Sequence, residues 1–319
     1  MKIIGTGSSH PSLAVTNDKI AQIIDTSDEW IWRRTGIKQR YVVSDERFED
    51  IAADAAFKAM ENSGLSSSDI DFIICSNTLN EYTTPSLSAI IQGIIGASCP
   101  CVDINVACAG FVYALDAANA YLQIGKMHNI LIICAEEPTR MMNWKDRSTC
   151  ILFGDGAGAV VVSDGEGFEA SDLSTSSCTE MLYQKRGLCS TPFLKQKEES
   201  PDAGAVMDGR EVYKRAVKYS ARDIKNVLME TGITADDVTW FVLHQANKRI
   251  IETIARYLKQ PMSKFPTDIE RYGNTSSASI PILLDDLNRN GLLKRGDRIM
   301  FSAFGAGFCS GACLMVWNK

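Results

Sequence analysis

The stretch Val102–Leu115, VDINVACAGFVYAL, decides how this chain is read. It has the make-up of a buried β-strand that turns sharply through small residues into an apolar helix. Cys108 sits at the turn between Ala107, Ala109 and Gly110, so nothing bulky covers its sulfur. The free N–H groups of a helix's first turn point toward such a position and favour an anion there. A thiol so placed is expected to have a lowered pKa and a sizeable thiolate fraction near neutrality. The alternative is a small buried core residue, the common fate of a free cysteine, and the chain has ten cysteines.

Working outward, Ile3–Gly5 reads as a strand, and Asn17–Thr26 and Ser27–Arg34 as short helices, the second capped by Ser27. Ser44–Ser63 reads as a long amphipathic helix closed by Gly64, Ile70–Ser76 as a strand covered on both faces, and Ser86–Gly96 as a helix. The helix after Cys108 should run to about Ile124, with further buried strands at Asn129–Cys134 and Ala157–Ser163. Strands alternating with helices define an α/β layered fold. The pattern then recurs. Met60-Glu61-Asn62-Ser63-Gly64 before the strand at Asp71–Cys75 is echoed by Met229-Glu230-Thr231-Gly232 before the strand at Thr239–Leu243, an offset of 168 residues (Ile70 to Val238). The same offset carries the helix after Cys108 onto Ser279–Leu287 and the strand after it onto Arg298–Ser302. A duplicated α/β unit is therefore expected, with halves 1–165 and 170–319. Ser171–Ala205 matches neither half and reads as a polar loop over the site.

Composition narrows the class. The chain has 319 residues, 45% hydrophobic and 23% charged, as in an ordinary globular protein. A net charge of -6 argues against nucleic acid as the main partner. No apolar run reaches the roughly 18 residues of a membrane span, and the N-terminus has no signal-peptide pattern, so a cytoplasmic protein is expected. Scattered cysteines in apolar runs suit reduced thiols. Cys99-Pro100-Cys101 and Cys309/Cys313 could pass for metal-ligand pairs, but with three histidines and no second CxxC no metal is expected.

The second half supplies candidate partners for Cys108. The buried strand Trp240–Leu243 ends in His244-Gln245-Ala246-Asn247, and open α/β sheets place their ligands at such strand ends. A hydrogen-bonded structural histidine is the plain alternative. By the duplication, Gly273-Asn274-Thr275-Ser276 is the counterpart of the Cys108 elbow, which puts Asn274 near the pseudo-twofold centre; an ordinary asparagine turn competes with that reading. Phe304-Gly305-Ala306-Gly307-Phe308 is a glycine turn whose N–H groups could form an oxyanion hole.

VACAGFVYAL, FGDGAGAVV, HQANKRII, GNTSSAS and AFGAGF, together with Thr26–Ile31 and Arg34–Ile37, resemble β-ketoacyl-acyl-carrier-protein synthase III, a condensing enzyme of the thiolase superfamily. The similarity runs from Ile3 to the last strand. It implies a duplicated five-layer αβαβα thiolase-like fold, a homodimer, no cofactor, and the initiation of type II fatty acid synthesis from acyl-coenzyme A and malonyl-acyl carrier protein (ACP). Residue by residue, it implies Cys108 as acyl acceptor, His244 and Asn274 as donors to the enolate, and backbone N–H groups of Cys108 and Ala306 as the oxyanion hole. Asn at 274 matches initiating and chalcone-type enzymes, where elongating ones carry His. Thr26, Trp30, Arg34, Arg147, Met207, Gly209 and Asn247 match coenzyme A contacts, with Trp30 and Arg147 on the two faces of adenine. Lys248, Arg249 and Arg256 lie on a basic helix of an acidic protein, which suits an acidic carrier protein, and of these Arg249 matches the family's carrier-protein contact. Thr84 stands where some members close the acyl pocket with Phe, which would admit a longer primer. A synthase III-like enzyme of secondary metabolism with another acceptor is the alternative, ahead of a Cys-His-Asn thioester hydrolase or a carrier-binding module.

Overall fold

A computed structural model describes residues 1–185 and 204–319. The chain runs β1 (Lys2–Ser9), β2 (Leu13–Thr16), α1 (Asn17–Ala21), α2 (Asp28–Thr35), β3 (Gln39–Val42) and α3 (Phe48–Ser63). It continues through β4 (Phe72–Ser76), α4 (Leu87–Ile95), β5 (Cys101–Ile104), α5 (Gly110–Gln123), β6 (Asn129–Glu136) and β7 (Gly156–Ser163). Then come β8 (Phe168–Cys178), β9 (Leu182–Tyr183), β10 (Val206–Met207), α6 (Gly209–Thr231) and β11 (Trp240–Leu243). The last elements are α7 (Lys248–Tyr257), α8 (Ile269–Tyr272), α9 (Ser279–Arg289), β12 (Arg298–Gly305) and β13 (Gly307–Val316).

Two mixed sheets carry the fold, one ordered β1-β7-β6-β4-β5 and the other β8-β13-β12-β11. Within both, the same succession of strands recurs. A 3-10 capping box leads into β4 at Ser67–Asp69 and another into β11 at Ala235–Asp237. Gly64 and Gly232 close α3 and α6 in the same left-handed conformation, φ 75° and 70°. The second sheet has no partner for β5, because the chain there forms α8.

Strands β4, β6, β7 and β11 are apolar on both sides because both sheet faces are covered there. Phe72 and Ile74 of β4 point into a central layer built on α5 and α9, whereas Ile73 and Cys75 point toward α3 and α4. Phe111 of α5 meets Phe301 of β12 edge-on at 5.5 Å, which joins the central helices to the second sheet. On that sheet's far face, α6 and α7 bury Val212, Ile224, Ile250 and Ile254 against Phe241 and Met300. The order α3/α4, sheet, α5/α9, sheet, α6/α7 is the five-layer αβαβα arrangement.

Two expectations need correcting. The long helix starts at Phe48 rather than Ser44, because the Glu46 carboxylate accepts from the Ser44 and Ser12 amides and holds this segment as a turn. Ser171–Cys178 is no loop but most of β8, antiparallel to β13. Its polar side chains are paired: Asp172 accepts from Asn226 at 2.7 Å and Ser174 meets Ser310 at 3.1 Å. Residues 186–203 of the same expected loop lie outside the described residues.

α3 lies close on β1 because Gly5 and Gly7 face it. A Cβ at Gly7 would stand 2.3 Å from the Ala55 carbonyl oxygen. Gly7→Ala should therefore destabilise the fold by about 1–3 kcal/mol, the usual cost of overpacking, read from urea unfolding of the variant against the parent.

Candidate active site

Between β5 and α5 the chain makes one 3-10 turn, Ala107–Ala109, with Ala107 held at φ 46°. β12 presses on it. A Cβ at Gly305 would lie 2.7 Å from the Cys108 amide nitrogen, so only glycine lets the Gly305–Gly307 turn come this near. Ala306, at the tip of that turn, and Cys108 line one cavity of about 660 Å³. Its walls include Phe153, Pro138, Met141, Ser276, Cys309 and the stretch from Leu182 to Lys185. That stretch belongs to the segment expected over the site.

The equivalent turn of the second half, Ser276–Ala278, meets the first. Ser276, at φ 53°, repeats the strained backbone of Ala107. Its hydroxyl lies 3.3 Å from Cys108 Sγ, and its amide donates to Asn274 Oδ1 at 2.9 Å. With its oxygen so engaged, the Asn274 amide has its nitrogen as the free donor. Asn274 itself is clamped by its backbone: its N–H donates to Leu152, its carbonyl accepts from Gly154, and it bridges Phe153. This is the work of the FGDG segment. Gly273 before it has φ 67° and ψ -156°, a conformation suited to glycine.

His244 is buried at the end of β11, edge-on to Phe304 at 5.4 Å. Its Nδ1 is 2.7 Å from the hydroxyl of Ser279, the first residue of α9. That hydroxyl already accepts from the Gln245 amide, so its own proton is available for Nδ1, which puts the ring proton on Nε2. Burial lowers the His244 pKa to about 3, so the ring is neutral and its Nε2–H is available to donate. Neither His244 nor Asn274 is among the residues that line the cavity; Asn274 is joined to the lining Ser276, and His244 to Ser279 at the start of α9.

The expected low thiol pKa is not found. Burial pushes the Cys108 thiol up to about 12; the Ser276 hydrogen bond opposes this and the Glu136 carboxylate adds to it. The short helix-start turn does not outweigh the cost of burying a thiolate without a cation beside it. Sequence reasoning missed three of these residues, Ser276, Ser279 and Glu136. The duplication could have pointed to Ser276, which stands 168 residues after Cys108.

The other expected residues fall into separate places. Trp30 is half-buried, with the guanidinium carbons of Arg34 and Arg147 at 4.2 and 4.5 Å from its ring centroid. Arg147 thus rests on Trp30 itself, and adenine would have to enter between them. Trp30 and Met207 pack on the same small core as Met141, Phe153 and Ala205, which also wall the cavity. Thr26 Oγ1 is buried with no hydrogen-bond partner among the described residues. Asn247 caps α7 and donates to the Arg34 carbonyl at 3.0 Å, and Gly209 is the exposed first residue of α6. On α7, Arg249 and Arg256 are exposed, but Lys248 leans over Trp32. α6 adds exposed Arg210, Lys214, Lys218 and Lys225 at helical spacing, a basic stripe the sequence reading overlooked. Thr84 is exposed and does not line the Cys108 cavity. Among the described residues no cluster of His, Cys, Asp and Glu could hold a metal, and no helix is long and apolar enough to cross a membrane.

A cysteine on the elbow of one half, bonded to the matching elbow of the other between two layered sheets, defines a condensing enzyme of the thiolase fold. The family described as 3-oxoacyl-[acyl-carrier-protein] synthase III matches residues 102–179, and its C-terminal part matches residues 228–317. The β-ketoacyl-ACP synthase III of Clostridium acetobutylicum is 40% identical over all of this chain and 99% of its own. The crystal structure of 3-oxoacyl-ACP synthase III from Aquifex aeolicus superposes with a TM-score of 0.93 at 38% identity, covering 99% of both chains. The priming β-ketosynthase of the R1128 polyketide pathway follows with a TM-score of 0.90 at 32% identity, over 100% of this chain and 96% of the other. The chain belongs to the β-ketoacyl-ACP synthase III family, and it is an acyltransferase of the condensing type.

Gly273→Ala tests the clamp on Asn274. The variant should lose about 1–3 kcal/mol of stability to backbone strain, and its condensing activity should fall further than that loss alone explains, measured by thermal unfolding beside turnover.

Proposed function

We propose that Cys108 takes an acyl group from acyl-coenzyme A and that the acyl-enzyme condenses with malonyl-ACP to give 3-oxoacyl-ACP. The observation that carries this reading is Ser276, which bonds to the Cys108 sulfur and to the Asn274 oxygen at once. It ties a nucleophile to an oriented amide donor. In the first stage the Cys108 sulfur attacks the thioester carbonyl and coenzyme A leaves. The negative oxygen formed there is held by the N–H groups of Cys108 and Ala306, which share the cavity. In the second stage malonyl-ACP loses carbon dioxide, and the enolate oxygen left behind takes hydrogen bonds from His244 Nε2 and Asn274 Nδ2. A neutral histidine suits this, since it donates without protonating the carbanion that must attack the Cys108 thioester.

Trp30, Arg34 and Arg147 form the seat for the nucleotide, and the cavity wall at Ala205 and Met141, which packs on the same core as Trp30 and Met207, leads the pantetheine inward. The exposed stripe of α6 with Arg249 and Arg256 suits an acidic carrier protein, in contrast to the net charge of -6 over the whole chain. A homodimer would give Thr84 its place. The segment around it is exposed beside the free edge of β5, where Val102 is also exposed, and from there it can close a second copy's acyl pocket.

The likeness to a priming polyketide synthase favours one second reading, the same two stages serving a secondary pathway with another acceptor. Product analysis with acetyl-coenzyme A and malonyl-ACP separates them: acetoacetyl-ACP supports the first reading, and condensation only with a different acceptor supports the second. Release of free acid without malonyl-ACP would contradict both. His244→Ala and Asn274→Ala should each lower decarboxylation of malonyl-ACP by roughly 10²–10³, the weight of one oxyanion donor. Acylation of Cys108 in both variants should stay near the parent rate, measured by intact mass.

A further inference from the structure

Glu136, the last residue of β6, is 1% exposed, and nothing in the reaction described so far uses it. Among the described residues no cation pairs with it. Its carboxyl is held by neutral donors: Ser277 Oγ at 2.6 Å, Ser276 Oγ at 3.2 Å, Thr78 Oγ1 at 3.3 Å and the Thr78 amide at 3.2 Å. Ser277 is in turn within 3.0 Å of Ser76. Ser276 therefore stands between two groups, 3.3 Å from Cys108 Sγ and 3.2 Å from Glu136 Oε1. A hydroxyl has one proton and two lone pairs. When that proton is given to the carboxylate, the oxygen is free to accept the thiol's own.

We propose that Glu136 receives the Cys108 proton through Ser276, making Cys108–Ser276–Glu136 the route by which the nucleophile is activated. The S–H bond breaks as an O–H bond forms at Ser276, while the hydroxyl's original proton passes to Glu136 Oε1. The products are a thiolate and a neutral carboxylic acid, so the buried charge moves without growing. When coenzyme A leaves as a thiolate it takes up one proton, and the carboxylate is restored. Glu136 touches no substrate; it is a positioning residue that acts through Ser276.

Several features fit this role. Burial pushes the Glu136 pKa up to about 7, against the pull of its hydroxyl donors, so the carboxyl can hold a proton near neutrality. Burial holds the His244 pKa at about 3 and Ser279 occupies its Nδ1, which makes it a poor acceptor. The titratable groups near Glu136 are the thiols of Cys108 from the elbow and Cys134 from β6, with Cys75 of β4 on the sheet's other face, and burial raises all three. β7 opposes Glu136 with Gly156, and the turn before α9 with Ser276 and Ser277.

The inference rests on Cys108 as nucleophile, and one experiment keeps the two apart. Iodoacetamide labelling of Cys108 is followed by intact and peptide mass across about pH 5 to 10 for the parent, Glu136→Gln and Ser276→Ala. The parent should show a step in rate near neutrality, where the carboxyl gives up its proton, and then a plateau. Glu136→Gln and Ser276→Ala should both lose the step and react more slowly at neutral pH by roughly ten-fold or more. If Glu136 were only a nearby negative charge, its removal would ease ionisation of the thiol and speed labelling at neutral pH. Faster labelling, or an unchanged profile in the two variants, overturns the relay. Should Glu136→Gln fail to fold, Ser276→Ala still decides, since Ser277 and Thr78 continue to hold the carboxyl. Acyl transfer that persists in Cys108→Ala would instead bring down the nucleophile assignment, and the relay with it.

Discussion

The contact on which this structure depends is the meeting of two small-residue turns, Ala107–Ala109 from one half and Ser276–Ala278 from the other. Each caps a central helix, and each carries one non-glycine residue in the left-handed region. Nothing larger than glycine fits between them: a Cβ at Gly110 would fall 1.8 Å from Ser76 Oγ and 3.2 Å from Ser277 Cβ. The close approach has two consequences. It sets the Ser276 hydroxyl against the Cys108 sulfur, and it buries the serines around them, so each hydroxyl there must find a protein partner. The hydroxyls of Ser76, Ser276, Ser277 and Ser279 fill that need within the buried centre, where Ser276 meets Cys108 and Asn274 and Ser279 meets His244.

Desolvation also explains why the site works with neutral side chains. A buried imidazolium or an isolated thiolate is costly, and among the described residues no lysine or arginine pairs with either. The molecule keeps His244 neutral, and keeps a buried carboxylate, that of Glu136, within reach of the thiol through Ser276. Positive charge is placed outside, on α6 and α7 and around Trp30, where it can meet anionic substrates without disturbing the balance inside.

Much of this was legible in the residues. The offset of 168 between matching segments foretold two sheets of shared topology, and small residues around Cys108 foretold the elbow. Resemblance supplied the pairing with His244 and Asn274. What stayed hidden has physical causes. β8 lacks the apolar alternation of a strand because its polar side chains are satisfied by Asn226 and Ser310, which are distant in sequence. In Glu136-Glu137 nothing tells the reader that the first carboxylate turns inward onto serines while the second pairs with Arg140. The Cys108 pKa was misjudged because a helix start was weighed without the burial that only the folded halves create. Thr84 reads as a pocket residue, yet a single chain leaves it in solvent.

The central claim is that Cys108 is the acyl acceptor of a coenzyme A thioester. It is tested most directly by the intact mass of the protein after incubation with a ladder of acyl-coenzyme A thioesters, beside Cys108→Ala. The account predicts a mass gain equal to one acyl group in the parent, lost in the variant, with the best-loading chain naming the primer. A parent that gains no acyl group from any thioester, or a variant that gains it equally, would contradict the account.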